Sequence, residues 1–186
     1  MSRTPSKMIP LGTVAPDFNL FDTVSQKTLS LERMKGSKGT VIFFICNHCP
    51  FVIHVNKELV KISNDFITKG ISFIAISSND VKNYPQDAPD LMQKVAIDQN
   101  YPFPYLYDET QEIAKAYDAA CTPDTYLFDR DMKLVYRGQI DGSRPGNDVP
   151  VTGNDLREAV SNLILGKKIS GIQKPSIGCN IKWQGF

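Results

Sequence analysis

The 186-residue chain lacks the features that would mark several large classes of protein. It has no apolar stretch near the roughly 18–20 residues that a membrane-spanning helix needs. No basic run occurs and the formal net charge is +1, so no nucleic-acid surface is indicated. The first ten residues, Met1-Ser2-Arg3-Thr4-Pro5-Ser6-Lys7-Met8-Ile9-Pro10, lack the apolar centre of a secretory signal, which leads us to expect a cytoplasmic protein. No glycine-rich nucleotide loop is present, so no organic cofactor is expected. Cysteine is sparse, at four, as is histidine, at two. Four thiols in a chain this long do not make a disulfide framework in a reducing compartment; they are catalytic, metal-binding or buried. Repeats, low-complexity segments and a domain linker are also missing. With 41% hydrophobic and 22% charged residues, the chain is expected to fold as a single domain over 1–186.

Two of the four cysteines are concentrated in one place. Cys46-Asn47-His48-Cys49 follows Thr40-Val41-Ile42-Phe43-Phe44-Ile45, an apolar, β-branched and aromatic run that reads as a buried strand. After it, Val52, Val55, Leu59, Ile62 and Phe66 recur at helical spacing, with Pro50 suited to a first turn and Gly70 to a stop. Residues 71–77 form a second apolar strand. Strand, helix and strand in this order make a parallel βαβ unit with a right-handed crossover. The two thiols thus fall at a strand-to-helix junction. The unpaired N–H groups and positive dipole end of the helix there favour thiolate, the reactive form. A C-x-x-C so placed reads as a redox site.

The rest of the pattern is α/β. Residues 1–16 read as an extended arm. Segments 17–21 and 27–31 make a hairpin, 89–99 and 110–117 are helices, and 103–107 is a short strand. Strands 125–128 and 134–137 form an antiparallel hairpin. Thr152-Gly153-Asn154-Asp155 resembles a capping box for a last helix that ends at Gly166. Residues 167–186 form a tail with little periodicity, in which Ile177, Ile181 and Trp183 suggest docking on the domain.

This order, with C-x-x-C after the first βαβ strand, resembles the thioredoxin fold. The N-terminal hairpin and Gly12-x-x-Ala15-Pro16-Asp17-Phe18 resemble the peroxiredoxin-type version found in alkyl hydroperoxide reductases and related redoxins. The resemblance spans about residues 12–165. It implies a central mixed sheet flanked by helices. Thr122-Pro123-Asp124-Thr125 looks like the loop whose cis proline packs against the active disulfide in thioredoxins. Laid on the peroxiredoxin pattern Pro-x-x-x-Thr-x-x-Cys, the last cysteine falls on Cys49, but Ile42 and Cys46 replace the proline and the threonine that orients peroxide.

The resemblance therefore implies a thiol–disulfide oxidoreductase. Cys46 would be its exposed attacking thiol and Cys49 its resolving thiol. His48 would tune the pair, and Thr122 and Pro123 would form the substrate-side wall. A histidine before the second cysteine also occurs in disulfide isomerases and periplasmic disulfide oxidases; by analogy the potential would lie near −200 mV, above thioredoxin's roughly −270 mV. The electron partner would be a dithiol protein or glutathione. Two alternatives stay open. One is a thiol peroxidase acting on hydroperoxides through Cys49. The other is a metal-binding or redox-sensing module without turnover, in which Cys46, Cys49 and a histidine hold Cu(I) or Zn(II). Three more residues are candidates. Cys121 lies two residues before Pro123 and is either a buried apolar residue or an auxiliary thiol. Cys179, in the tail, is a resolving partner within the chain or across a homodimer, or else an inert thiol. Arg144 is the arginine that peroxiredoxins keep near their thiolate, or one that stabilises its own loop. His54 reads as a satisfied histidine of the helix.

Overall fold

The computed structural model describes residues 3–185. In chain order the elements are β1 (Arg3–Pro5), β2 (Asn19–Asp22), β3 (Lys27–Ser30), α1 (Leu31–Met34), β4 (Gly39–Phe44), α2 (Pro50–Ile67) and β5 (Ile71–Ser77). They continue with α3 (Pro89–Asp98), β6 (Tyr105–Tyr107), α4 (Glu112–Ala116), β7 (Cys121–Thr122) and β8 (Asp124–Asp129). The last are β9 (Leu134–Arg137), α5 (Asn154–Ile164) and β10 (Ile177–Asn180).

Seven strands form one mixed sheet in the order β3-β2-β6-β5-β4-β8-β9. The central pairs β4–β5 and β5–β6 are parallel, while β8 runs antiparallel to β4. Parallel strands need helices on both faces, and β4 is buried along its whole length. Its alternate side chains serve two cores. Val41 and Phe43 pack with Val52, Leu59 and Ile62 of α2, with Met92 of α3 and with Leu156 of α5. Ile42 and Phe44 face the opposite core, with Leu31 of α1, Ala114 of α4, Tyr117 and Tyr126. This is the thioredoxin-like layering implied by the sequence, with the β2–β3 hairpin added at one edge.

The capping-box expectation is corrected. The N-cap of α5 is Gly153, at φ +66°, and it makes no side-chain cap. Asp141 instead reaches back from the preceding loop, and its Oδ2 accepts the N–H groups of Thr152 and Gly153 at 2.8 and 2.7 Å. A Cβ at position 153 would stand 2.4 Å from Ile62, so glycine is required there for both backbone and space.

Both chain ends converge on the loop before β8. Strand β10 lies between β1 and β7 in a separate three-stranded sheet, pairing Cys179 with Arg3 on one side and with Thr122 on the other. The extended arm and the tail thus reach the same place, through strand pairing that their weak periodicity did not announce.

Candidate active site

The C-x-x-C occupies the turn between β4 and α2. Cys49 is the N-cap of α2 and Pro50 opens its first turn, where a missing N–H costs nothing. None of the four cysteines is joined in a disulfide. Cys46 and Cys49 perturb each other's titration and share one neighbour, Thr122. The Cys46 Sγ lies 3.6 Å from the Thr122 hydroxyl, and the Cys49 Sγ lies 3.1 Å from the Thr122 carbonyl oxygen. The Thr122-Pro123 peptide is cis, as the resemblance implied.

One expectation about the thiols needs correction. Cys46 is not exposed: it is 2% accessible, and Cys49 is fully covered. The reason is the fold around them, since Thr122 of β7 lies against both sulfurs. Cys46 nevertheless borders a groove of about 520 Å³ with Asn47, Ile53, Asn56, Lys57 and Tyr101, so it is the sulfur on the approach side. Of the two thiols, Cys49 is the one whose pKa is lowered. Cys49 is held at about 5, first by the hydrogen bond from Cys46. Burial opposes this, while the Cys179 thiol, the Thr122 hydroxyl and the Val52 N–H add to it. Cys46 is pushed well up, by that same bond to Cys49, by burial and by the nearby negative charge of Asp87. The pair thus surrenders one proton easily and holds the second.

Charge on Cys49 and none on Cys46 fixes the proton stoichiometry of reduction. Between about pH 5 and 9 the disulfide takes up two electrons and one proton. The potential is then expected to fall by about 30 mV per pH unit, steepening to about 60 mV below pH 5, where Cys49 is also protonated. Equilibration with glutathione buffers from pH 4 to 8 measures this; a slope near 60 mV throughout would contradict it. The same shift bears on stability. A depressed thiol pKa stabilises the reduced fold fully above its unfolded value near 9, and that contribution is lost as pH falls through about 5.

His48 turns toward Asp87, with Nδ1 2.7 Å from Oδ2, and stacks on Tyr84 with ring centroids 5.6 Å apart. Asp87 is fully buried and also accepts the Asn47 N–H at 2.9 Å and the Asn79 side-chain N–H at 2.8 Å. Asn79 in turn accepts the N–H of Lys182 in the tail. This carboxylate therefore orients the turn, the imidazole and the tail together. In the sequence Asp87 lies in a polar stretch with Lys82 and Tyr84 that carries no periodic signal. Cys46, His48 and Asp87 each bring a potential ligand atom within 4.8 Å of the others, the one group of metal-ligand type so close among the described residues.

The other candidates are placed as follows. Cys179 is buried on β10, opposite Thr122, and hydrogen-bonds to Cys49. Burial pushes its thiol up to about 12, helped by that bond. Cys121, the neighbour of Thr122 on β7, is fully buried and donates to the Pro123 carbonyl at 3.6 Å; burial raises its pKa strongly. Arg144 bonds the carbonyls of Asp141 and Ser143 and the Gln139 side chain, all within its own loop. His54 shares a hydrogen bond with Ser143 at 2.7 Å. One structural pair was not anticipated. Arg137 and Asp124, both fully buried, form a bidentate ion pair beside the cis peptide, and the guanidinium stacks 3.8 Å above Tyr126. An aspartate directly after Pro123 and an arginine inside a buried strand were the available signals.

Residues 11–137 match the model of the AhpC/TSA family. The chain belongs to that family. It is thus a thioredoxin-fold redoxin and, at that general level, an oxidoreductase. A conserved protein from Geobacillus kaustophilus has the same structure with a TM-score of 0.98, at 57% identity over 100% of this chain and 98% of its own. The thiol-disulfide oxidoreductase ResA of Bacillus thuringiensis is 27% identical over 136 residues, 71% of each chain. The thioredoxin domain of a Bacteroides vulgatus thiol-disulfide oxidoreductase superposes with a TM-score of 0.64 at 21% identity, covering 84% of this redoxin and 99% of that domain, which establishes likeness of fold. No helix among the described residues is long and apolar enough to cross a membrane.

Proposed function

We propose that this redoxin exchanges disulfides through Cys46 and Cys49, with a dithiol protein or glutathione as its electron partner in a cytoplasmic setting. The observation that carries this reading is that both sulfurs of one turn contact the same residue, Thr122, beside the cis peptide. Cys46 reaches the substrate through the groove. As its sulfur attacks a substrate disulfide, its proton passes to the Cys49 thiolate, which acts as the base. A mixed disulfide forms on Cys46, and the departing substrate thiolate takes that proton from Cys49 and leaves as a thiol. The Cys49 thiolate then attacks the Cys46 sulfur, closes the intramolecular disulfide and expels the second substrate sulfur as a thiolate. Ile53, 62% exposed, and the amides of Asn47 and Asn56 line the route to Cys46 and suit an extended peptide or glutathione backbone.

One observation favours the peroxidase alternative: Cys49, the position matching a peroxidatic cysteine, has the low pKa. Against it stand the complete burial of Cys49 and the engagement of the Arg144 guanidinium in its own loop. Stopped-flow assays with hydrogen peroxide and with oxidised glutathione separate the two. We expect the Cys46→Ser variant to lose disulfide exchange and to gain no rapid peroxide consumption. Fast, Cys49-dependent peroxide turnover in that variant would overturn the exchange reading.

A further inference from the structure

Cys49 has two thiol neighbours. Its sulfur contacts the Thr122 carbonyl, Thr122 pairs in register with Cys179 on β10, and Cys46 and Cys179 both perturb its titration. The tail strand is closely fitted there. Gly178 passes so near Thr122 that a Cβ would stand 2.0 Å from the Thr122 carbonyl oxygen, and Cys179 pairs in register with Thr122 itself. The Lys182 carbonyl accepts the N–H of Asp80, and its own N–H is bound by Asn79, which fixes the chain beyond the cysteine. β10 therefore holds a buried thiol against the resolving sulfur.

We propose that Cys179 is the third thiol of the redox centre and relays the disulfide from Cys46–Cys49 to Cys49–Cys179. This rests on the dithiol reading above. The Cys179 thiolate attacks Cys49 Sγ in the closed disulfide. A Cys49–Cys179 bond forms, the Cys46–Cys49 bond breaks, and its electron pair leaves on Cys46. Cys46 then takes up a proton in place of the one Cys179 lost, so neither oxidant nor reductant is consumed. Oxidation of the first pair also removes the Cys49 hydrogen bond and charge that hold the Cys179 proton, leaving burial as the main opposition. The relay returns Cys46 as a thiol at the groove. It also ties β10, and with it the tail, covalently to the N-terminus of α2, so that the oxidised protein carries a fastened strap over its site.

The test uses the full chain oxidised with diamide, quenched in acid, alkylated after denaturation and digested without reduction. Wild type is expected to give tryptic peptides 39–57 and 169–182 joined by a disulfide, with Cys46 alkylated, beside chains closed at Cys46–Cys49. Cys46→Ser should give the joined peptides as its intramolecular product, and Cys179→Ala and Cys179→Ser should each lose them. In wild type the joined species should form about tenfold faster per pH unit below the Cys179 pKa. If Cys49 and Cys179 both stay alkylatable in Cys46→Ser while wild type closes Cys46–Cys49, the relay is wrong and the dithiol reading stands. If wild type never closes Cys46–Cys49, both fall.

Discussion

Cys49→Ser is expected to yield a protein that accepts one substrate and stops. The attacking sulfur, Cys46, remains beside the groove, and the contact with the Thr122 hydroxyl survives. What disappears is the second sulfur of the same turn. Resolution then waits for an external thiol at millimolar concentration in place of a partner held in the same turn against Thr122. Well-oriented intramolecular groups act at effective molarities many orders above that, so turnover with oxidised glutathione should fall on the order of 10³-fold or more. The variant should accumulate a mixed disulfide at Cys46, read as the mass of one added glutathione. In lysate the same variant should retain disulfide-bearing proteins that dithiothreitol releases. Serine at 49 also removes the base that takes the Cys46 proton, so the adduct should form more slowly than the first turnover of wild type. A variant that turns over at the wild-type rate, with no adduct, would show that Cys49 is not the resolving thiol.

The location of this chemistry was legible in the sequence, while its polarity was not. A β-branched run followed by helical spacing can end only in a strand-to-helix turn, and the order βαβ dictates a parallel pair. Strand β5, at Ile71–Ser77, falls where the apolar run predicted it. The burial of Cys46 was hidden because its contact, Thr122 on β7, lies 76 positions downstream, and β7 pairs with β10 through a close approach that depends on Gly178 and carries no periodic signal. The low pKa of Cys49 was hidden in the same way. It reflects donors aimed at one sulfur, one of them Cys179 from the tail, and a fully buried aspartate facing the other. His48 illustrates the limit from another side. Its place before the second cysteine suggested a cation tuning the dithiol, yet its Nδ1 is bound to Asp87, a residue 39 positions away. Long-range polar contacts of this kind leave no trace in local spacing.

The buried ion pair beside the site gives the largest expected effect on stability. Asp124 follows Pro123 directly, and its Oδ2 accepts the Ala120 N–H at 3.0 Å, so one carboxylate closes the segment that carries Cys121 and Thr122. Arg137, across the β8–β9 hairpin, supplies the compensating charge, and both side chains are inaccessible to water. Arg137→Met keeps most of the volume over Tyr126 but leaves a desolvated carboxylate without a counter-charge. Removing one partner of such a pair costs about 3–5 kcal/mol, a large share of the 5–15 kcal/mol that stabilises a typical domain. Urea unfolding of the reduced protein should show a loss of that order. The double variant Asp124→Asn, Arg137→Met should recover part of it, because no unpaired charge remains. The two variants should differ at the thiols as well. With its charge uncompensated, Asp124 has reason to draw in water or a proton and loosen its hold on Ala120. Alkylation of Cys46 should then be faster in Arg137→Met than in wild type, and slower again in the double variant. Equal stability in the single and double variants would mean that the pair acts through packing alone, and equal alkylation rates would mean that Asp124 does not position the Thr122 loop against the dithiol.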